Sequence, residues 1–258
     1  MFDKLTSKGF DISSNYHASS LLAEEFSVAH DEIEAVLDKF SIDAGELVAG
    51  GGGEASFTQR LRHALADAGW SKQNLLIEKR LIQYEGTLGN DNYNKKGERT
   101  IQSLSHEIDH VKSFESGTIL LEIEWNNKDP FFDRDLENFK RLHADGAASL
   151  GVIITRGKSL QDRMSDIIED YGLKHELDSA ESLQAHGLAP TPRQLSMYAG
   201  LARRFEGNYT KAWAKAFVSD KYGSATTHWE KLADRLSRGV GNPCPLIAIG
   251  LPAGIIVP

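Results

Sequence analysis

Residues 108–127 read IDHVKSFESGTILLEIEWNN. The stretch holds one carboxylate, Asp109, then a hairpin-like gap, then Glu122-Ile123-Glu124 at the end of an apolar run. Thr118 to Trp125 is predicted to be a strand, since apolar and β-branched residues dominate it. Successive strand side chains point to opposite faces, so Glu122 and Glu124 share one face. Two carboxylates that close repel each other, and each is costly to desolvate. A divalent cation removes that conflict. Asp109, Glu122 and the Ile123 carbonyl make a hard-oxygen donor set suited to Mg²⁺. Glu124 is left beside the ion, free to handle a water, which is a layout for metal-dependent phosphodiester hydrolysis. The competing reading makes the two acids the wet face of an amphipathic strand.

Working outward, Asp133 is expected to cap a helix carrying Leu136, Phe139 and Leu142, stopped by Gly146. Leu150 to Thr155 (LGVIIT) is a predicted buried strand. Strand, helix, strand in this order implies a parallel crossover. The expected class is α/β: a central mixed sheet flanked by helices. Upstream, residues 16–40 carry a helical stripe of Leu21, Leu22, Phe26, Ile33, Val36, Leu37 and Phe40. Gly50 to Gly53 make a flexible break, with no GKS or GKT to turn them into a phosphate loop. Ser56 is expected to cap a helix with Phe57, Leu61 and Leu65, ending near Gly69. Leu75 to Tyr84 reads as a strand and Gly86 to Gly97 as a loop. Downstream, Leu160 to Tyr171, most of Pro190 to Gly223 and Thr227 to Ser237 read as helices, and Cys244 to Gly250 as a last buried strand. The pattern predicts one domain over 1–258, with a helical insertion near 160–222.

The chain has 258 residues, 40% of them hydrophobic and 26% charged, an ordinary composition for a soluble globular protein. No run is long enough to span a membrane. No secretory signal pattern stands at the start, and the lone Cys244 excludes an internal disulfide or a cysteine-based zinc cluster. These features point to an intracellular, cytoplasmic protein. The net charge of −8 at first argues against nucleic acid. Residues 191–240, however, hold nine Lys/Arg against four acids, a local excess of five positive charges. A basic surface on an acidic body can bind phosphates, and it can also be simple helix solubility.

His106-Glu107-Ile108-Asp109-His110 matches H-E-x-x-H, which on a helix would place two zinc ligands on one face with a water-activating Glu. Ile101, Leu104, Ile108 and Val111 permit a helix there. Against this zinc-peptidase reading, the window is short and polar, a strand follows at once, and no third ligand stands downstream. The plainer reading of His106 and His110 is as solvent-facing neighbours of the acidic site.

The order of these patches resembles the type II restriction endonucleases of the BglII and BstYI kind. The resemblance runs through IDHVKSFESGTILLEIEWNN and LGVIITRG. It continues through Ser224 to Leu232 (SATTHWEKL), Arg238-Gly239-Val240, Pro245-Leu246-Ile247 and Ile249-Gly250, with Ala68-Gly69-Trp70 upstream. It implies a restriction-endonuclease-like fold and an Asp…Glu-x-(Lys/Gln/Glu) active site. Asp109 then corresponds to the metal-binding Asp and Glu122 to the second ligand. Glu124 occupies the third position, where BglII and BstYI carry Gln and a BamHI-like relative carries Glu, so Glu124 becomes a candidate general base. The resemblance places DNA-reading residues at Asn126, Asn127, Ser224, Thr226, Thr227 and His228. Asn can pair with adenine in the major groove, though Asn-Asn-Lys-Asp-Pro is also good turn chemistry. Lys128, Arg134, Lys140 and Arg141 are phosphate contacts or surface charges. The implied function is Mg²⁺-dependent hydrolysis of double-stranded DNA, with Mn²⁺ able to replace Mg²⁺. The implied context is a short palindromic site cut by a homodimer, and a cognate DNA methyltransferase as functional partner. Two alternatives stay open: the zinc peptidase, and a nuclease of the same fold with a job other than restriction.

Overall fold

A computed structural model describes residues 1–49, 53–89 and 91–258. The N-terminal part comprises α1 (Asp3–Ser7), β1 (Asp11–Asn15), α2 (Ala18–Glu24), α3 (Ser27–Asp38), β2 (Ile42–Asp43), α4 (Ala44–Val48) and α5 (Ser56–Asp67). The centre comprises β3 (Ser71–Gly86), β4 (Tyr93–Phe114), β5 (Gly117–Glu124), α6 (Phe131–Ala144) and β6 (Leu150–Arg156). Then follow α7 (Lys158–Lys174), α8 (Ala180–Ala185), α9 (Pro192–Ala202), α10 (Tyr209–Lys221), α11 (Trp229–Ser237), β7 (Leu246–Leu251) and β8 (Ile256–Val257). Helices α7 to α10 fill the expected insertion near 160–222.

Six strands form one mixed sheet in the order β1-β7-β6-β5-β4-β3. β5, β6 and β7 run parallel, while β4 and β3 at one side and β1 at the other are antiparallel. The crossover expected between the strands at 118–125 and 150–155 is therefore present. All seven residues of β6 are buried, as in a parallel strand covered on both faces. One face packs the larger core, with Leu22, Ile33, Leu61, Met164 and Trp213 against Ile119, Leu121, Ile123 and Ile154. The other packs Phe132, Leu136, Phe139 and Leu142 of α6 and Leu232 of α11 against Leu120 and Ile153. Phe139 lies directly over the parallel strands. A Cβ on Gly151 would come within 2.4 Å of its ring, so glycine there is what lets α6 approach. No helix among the described residues is long and apolar enough to cross a membrane.

Several sequence expectations shift. The helix expected across 16–40 is two helices. The chain turns at Glu25–Phe26, where Phe26 is buried 5.6 Å from the Phe114 ring. Ser56 does not cap α5. It is the first helical residue, and its hydroxyl donates to Glu46 Oε1 at 2.6 Å, while Ala55 stands at the cap. Asp133 lies inside α6, capped by Pro130, and pairs instead with Arg235 at 2.8 Å. Strand β4 begins at Tyr93, so the second half of the loop expected over 86–97 is strand instead. β3 and β4 run on together as a two-stranded ribbon beyond the rest of the sheet. Of the glycine break at 50–53, only Gly53 lies among the described residues.

Removing the Phe139 ring should leave a cavity over Gly151. Phe139→Ala is expected to lower folding stability by about 3–5 kcal/mol, read as a fall in the urea midpoint. A midpoint equal to the parent's would show that α6 does not depend on this contact.

Candidate active site

The β4–β5 ladder ends at the pair His110–Leu121. One rung further, Asp109 on β4 and Glu122 on β5 are no longer paired. The β3–β4 register explains the separation: Ser71 pairs with Val111 but Gln73 pairs with Ile108, so β4 carries one extra residue here. Such a bulge bends its strand and re-aims side chains. It also turns His106 and His110 to opposite faces. His106 Nδ1 lies 3.0 Å from Asn138 Oδ1 on α6, whereas His110 lines a cleft beside Arg62 and His63 of α5. On an unbroken strand a four-residue separation already spans about 13 Å. The two histidines therefore cannot ligate one zinc ion, and the H-E-x-x-H reading fails. Nor are they solvent-facing, being 6% and 2% exposed. Burial pushes the His110 imidazole down to about 4, against the opposing pull of Asp109.

Glu122 and Glu124 point together toward α6, as the two-residue spacing predicted. Both are buried, at 4% and 3% exposure, so they are not the wet face of the strand. Asp135 of α6, fully buried, joins them. Burial pushes the Glu122 carboxyl up to about 9, and the nearby Asp135 and Asp109 carboxylates add to this. Burial and Asp135 likewise push Glu124 up to about 8. Two partners counter that rise. Asn127 Nδ2 donates to Glu124 Oε2 at 2.7 Å, and Arg134 reaches Oε1 at 3.3 Å while holding Asp135 at 2.7 Å. Asp135 Oδ2 has no hydrogen-bond partner.

Asp109 faces the other way, into a cleft of about 820 Å³ that also meets Glu54, Ile123, Trp125, Asn126 and Asn127. Its backbone N–H donates to Glu122 Oε2 at 3.4 Å, which ties the two acids across the gap. Arg62 of α5 lies 3.8 Å from the Asp109 carboxylate and binds Glu54 through Nη1. Among the described residues, no three His, Cys, Asp or Glu side chains are already arranged to hold a metal ion. The donor chemistry nevertheless fits a hard divalent cation. Three buried carboxyls, Glu122, Glu124 and Asp135, have one guanidinium, Arg134, among them, and a divalent cation would make up the shortfall of positive charge.

The expected DNA-reading residues form one structural unit. Asn126 is half-buried; Asn127, Lys128 and Ser224 are exposed; Thr226 is half-buried. Lys128 and Thr226 form a β-bridge, and Thr227 N–H donates to Asn127 O at 2.8 Å. Thr227 and His228 are buried, at 0% and 4% exposure, so the structure does not present them to a ligand as the resemblance implied. Lys140 and Arg141 both pair with Glu137. In the basic 191–240 window, Lys231, Arg235 and Arg238 are held in ion pairs with Asp129, Asp133 and Asp234.

A family profile for restriction endonuclease BglII/BglIII matches residues 10–251. The chain belongs to this family. The match spans the whole sheet, both faces of helices and every acid described above. The six-stranded mixed sheet with flanking helices is thus the restriction-endonuclease-like fold, and family membership makes the chain a DNA-cleaving hydrolase. No curated protein matches the sequence.

Sequence reasoning missed Asp135, Arg62 and Glu54. Asp135 left a trace. It falls on the helical stripe Phe132, Leu136, Phe139, where an acid has no apolar reason to be. Arg62 and Glu54 left none, since nothing local links them to Asp109, 47 and 55 residues away.

Protonation of Glu122 and Glu124 favours the folded state, because their folded values lie above the ordinary 4.5. That contribution is fully present below pH 4.5 and is lost as pH climbs through 8 to 9. In EDTA, Glu122→Gln should therefore melt above the parent at pH 9, with the advantage shrinking toward pH 5. Parallel melting curves across that range would overturn the burial argument for Glu122.

Proposed function

We propose that this chain is a type II restriction endonuclease, acting as one nuclease domain. It hydrolyses both strands of duplex DNA at a short palindromic site with Mg²⁺, or Mn²⁺ in its place. The observation that carries the reading is the parting of β4 and β5 between Asp109 and the Glu122–Glu124 pair, beside an open cleft. Asp109, Glu122 and the Ile123 carbonyl are the residues that would hold the ion. When bound there, a divalent cation stabilises negative charge developing on the scissile phosphate.

The protein's own groups do the rest. Glu124 is the general base: ionised, it accepts a proton from the attacking water. Asn127 and Arg134 each hold one of its oxygens, which fixes its orientation. Burial of Glu124 and Glu122 keeps bulk water from screening the reacting charges. Arg62 sits beside Asp109 as a cation at the cleft wall, where it can meet a phosphate oxygen. Asn126 and Asn127 line the cleft, and with Lys128, Ser224 and Thr226 of the same unit they contact DNA, Thr227 and His228 supporting them. A palindrome cut on both strands requires a two-fold homodimer. The protein acts in the cytoplasm within a restriction-modification system, with a methyltransferase protecting host sites.

The test is digestion of long unmethylated duplex DNA with Mg²⁺, beside an EDTA control. Discrete fragments with a shared end sequence are expected, and none in EDTA. Asp109→Ala and Glu122→Gln should each lower cleavage by more than about 100-fold. A smear would remove the site specificity, and an Asp109→Ala variant cutting like the parent would remove the assigned site.

A further inference from the structure

Arg156 ends β6 and is completely buried. Its guanidinium has no ion-pair partner among the described residues, and burial pulls it down to about 10. A buried charge without a counter-charge is costly, and an apolar residue of similar volume is often as stable or more so. What the group does instead is bridge two loops. Nη1 donates to Asn126 Oδ1 at 2.9 Å, and Nη2 donates to Thr226 Oγ1 at 2.7 Å and Thr227 O at 3.0 Å. Trp125 and Tyr222 flank it, with ring centroids 5.7 and 5.0 Å away. A planar fork can reach both loops at once in fixed geometry, whereas an ammonium is a single point charge on a flexible stem.

The cleft is lined by Asn126 and Asn127 of the first bridged loop and by Lys221 and Tyr222, which lead into the second. The first follows β5 and carries Asn126 to Lys128. The second precedes α11 and carries Ser224 to His228. Backbone bonds already join them: Asp129 N–H donates to Ala225 O at 3.0 Å, and Thr227 N–H to Asn127 O at 2.8 Å. Arg156 adds the side-chain contacts, fixing the rotamers of Asn126 and Thr226 from beneath.

We propose that Arg156 is a positioning residue for sequence discrimination, whose guanidinium locks Asn126 and Thr226 into a single DNA-reading edge. The inference rests on the nuclease reading above and assigns no direct base contact to Arg156.

The experiment is cleavage of a randomised duplex library with Mg²⁺, followed by sequencing of the cut ends. It compares the parent with Arg156→Lys, Thr226→Val and the double variant, alongside thermal melts of each. The parent's ends should share one motif. Arg156→Lys should spread cleavage over sites differing by one base pair, with discrimination lowered roughly tenfold, the loss of one good base contact. Thr226→Val should act in the same direction. The double variant should lose little more than Arg156→Lys alone, because both changes break one lock. If the two losses multiply, or Thr226→Val leaves discrimination intact, the positioning role is overturned. The same holds if Arg156→Lys lowers the melting temperature yet keeps the parent's motif, since that is a purely structural role. Should Arg156→Lys fail to fold, the comparison runs on Thr226→Val against Asn126→Ala and their double variant, whose losses should again be less than multiplicative. A parent without a motif would sink the specificity reading itself, independently of any variant.

Discussion

Two strands that part after five paired rungs govern what this molecule can do. While β4 and β5 are paired, their side chains are locked to the sheet's alternation and to its two cores. Past His110–Leu121 that constraint ends on one side only. β5 remains paired to β6, with Glu122 opposite Ile153 and Glu124 opposite Thr155. The two glutamates thus stay on a rigid central strand. Asp109, carried by the bulged strand, turns out to the cleft. One extra residue in β4 places a half-buried carboxylate next to two buried ones.

The electrostatics follow from that asymmetry. Glu122 and Glu124 are desolvated because α6 covers them, and the nearest cation, Arg134, is shared between Glu124 and Asp135. One guanidinium cannot neutralise three carboxyls in a low-dielectric pocket, so protonation takes up the difference. The cleft side is also short of positive charge: one guanidinium, Arg62, stands between Glu54 and Asp109. A site of this kind is electrically incomplete without a mobile cation. The packing of α6 over Gly151, together with the Arg134 and Asn127 contacts to Glu124, holds the acids in this pocket.

Much of this was legible in the sequence, and the reason is periodicity. The two-residue spacing of Glu122 and Glu124, the all-apolar LGVIIT run and the stripe of α6 each fix a face without tertiary information. The break in the 16–40 helix was not legible, because Phe26 fits the helical stripe and leaves it only to reach Phe114, 88 residues on. The bulge at Asp109 was hidden for the same reason: it exists only relative to β3. The histidines of H-E-x-x-H show what that omission does. Their spacing suits a helix and would suit one strand face, yet a single inserted residue sends them to opposite sides of the sheet. Arg156 was invisible as well, since an arginine at a strand end reads as a surface charge until Asn126 and Thr226 are folded around it.

The reading edge and the acids meet in Asn127. Its backbone is held from both sides by Thr227, through its own N–H and through its carbonyl, while its side chain donates to Glu124. Arg156 fixes the neighbouring Asn126 and the other side of the same loop pair. No other described hydrogen bond joins Glu124's carboxylate to this unit. A shift of the loop before α11 must therefore either carry Asn127 with it or break two backbone-level bonds. In the first case Glu124 loses one of the two partners that orient it. In the proposed roles, sequence reading and water activation would thereby be coupled through one side chain, over a distance short enough that no conformational relay is needed. An enzyme that must leave nearly all DNA intact gains from that economy. With Glu124 in its proposed role, a poorly fitted site would disturb the base directly, and selectivity would enter the chemical step as well as the binding step.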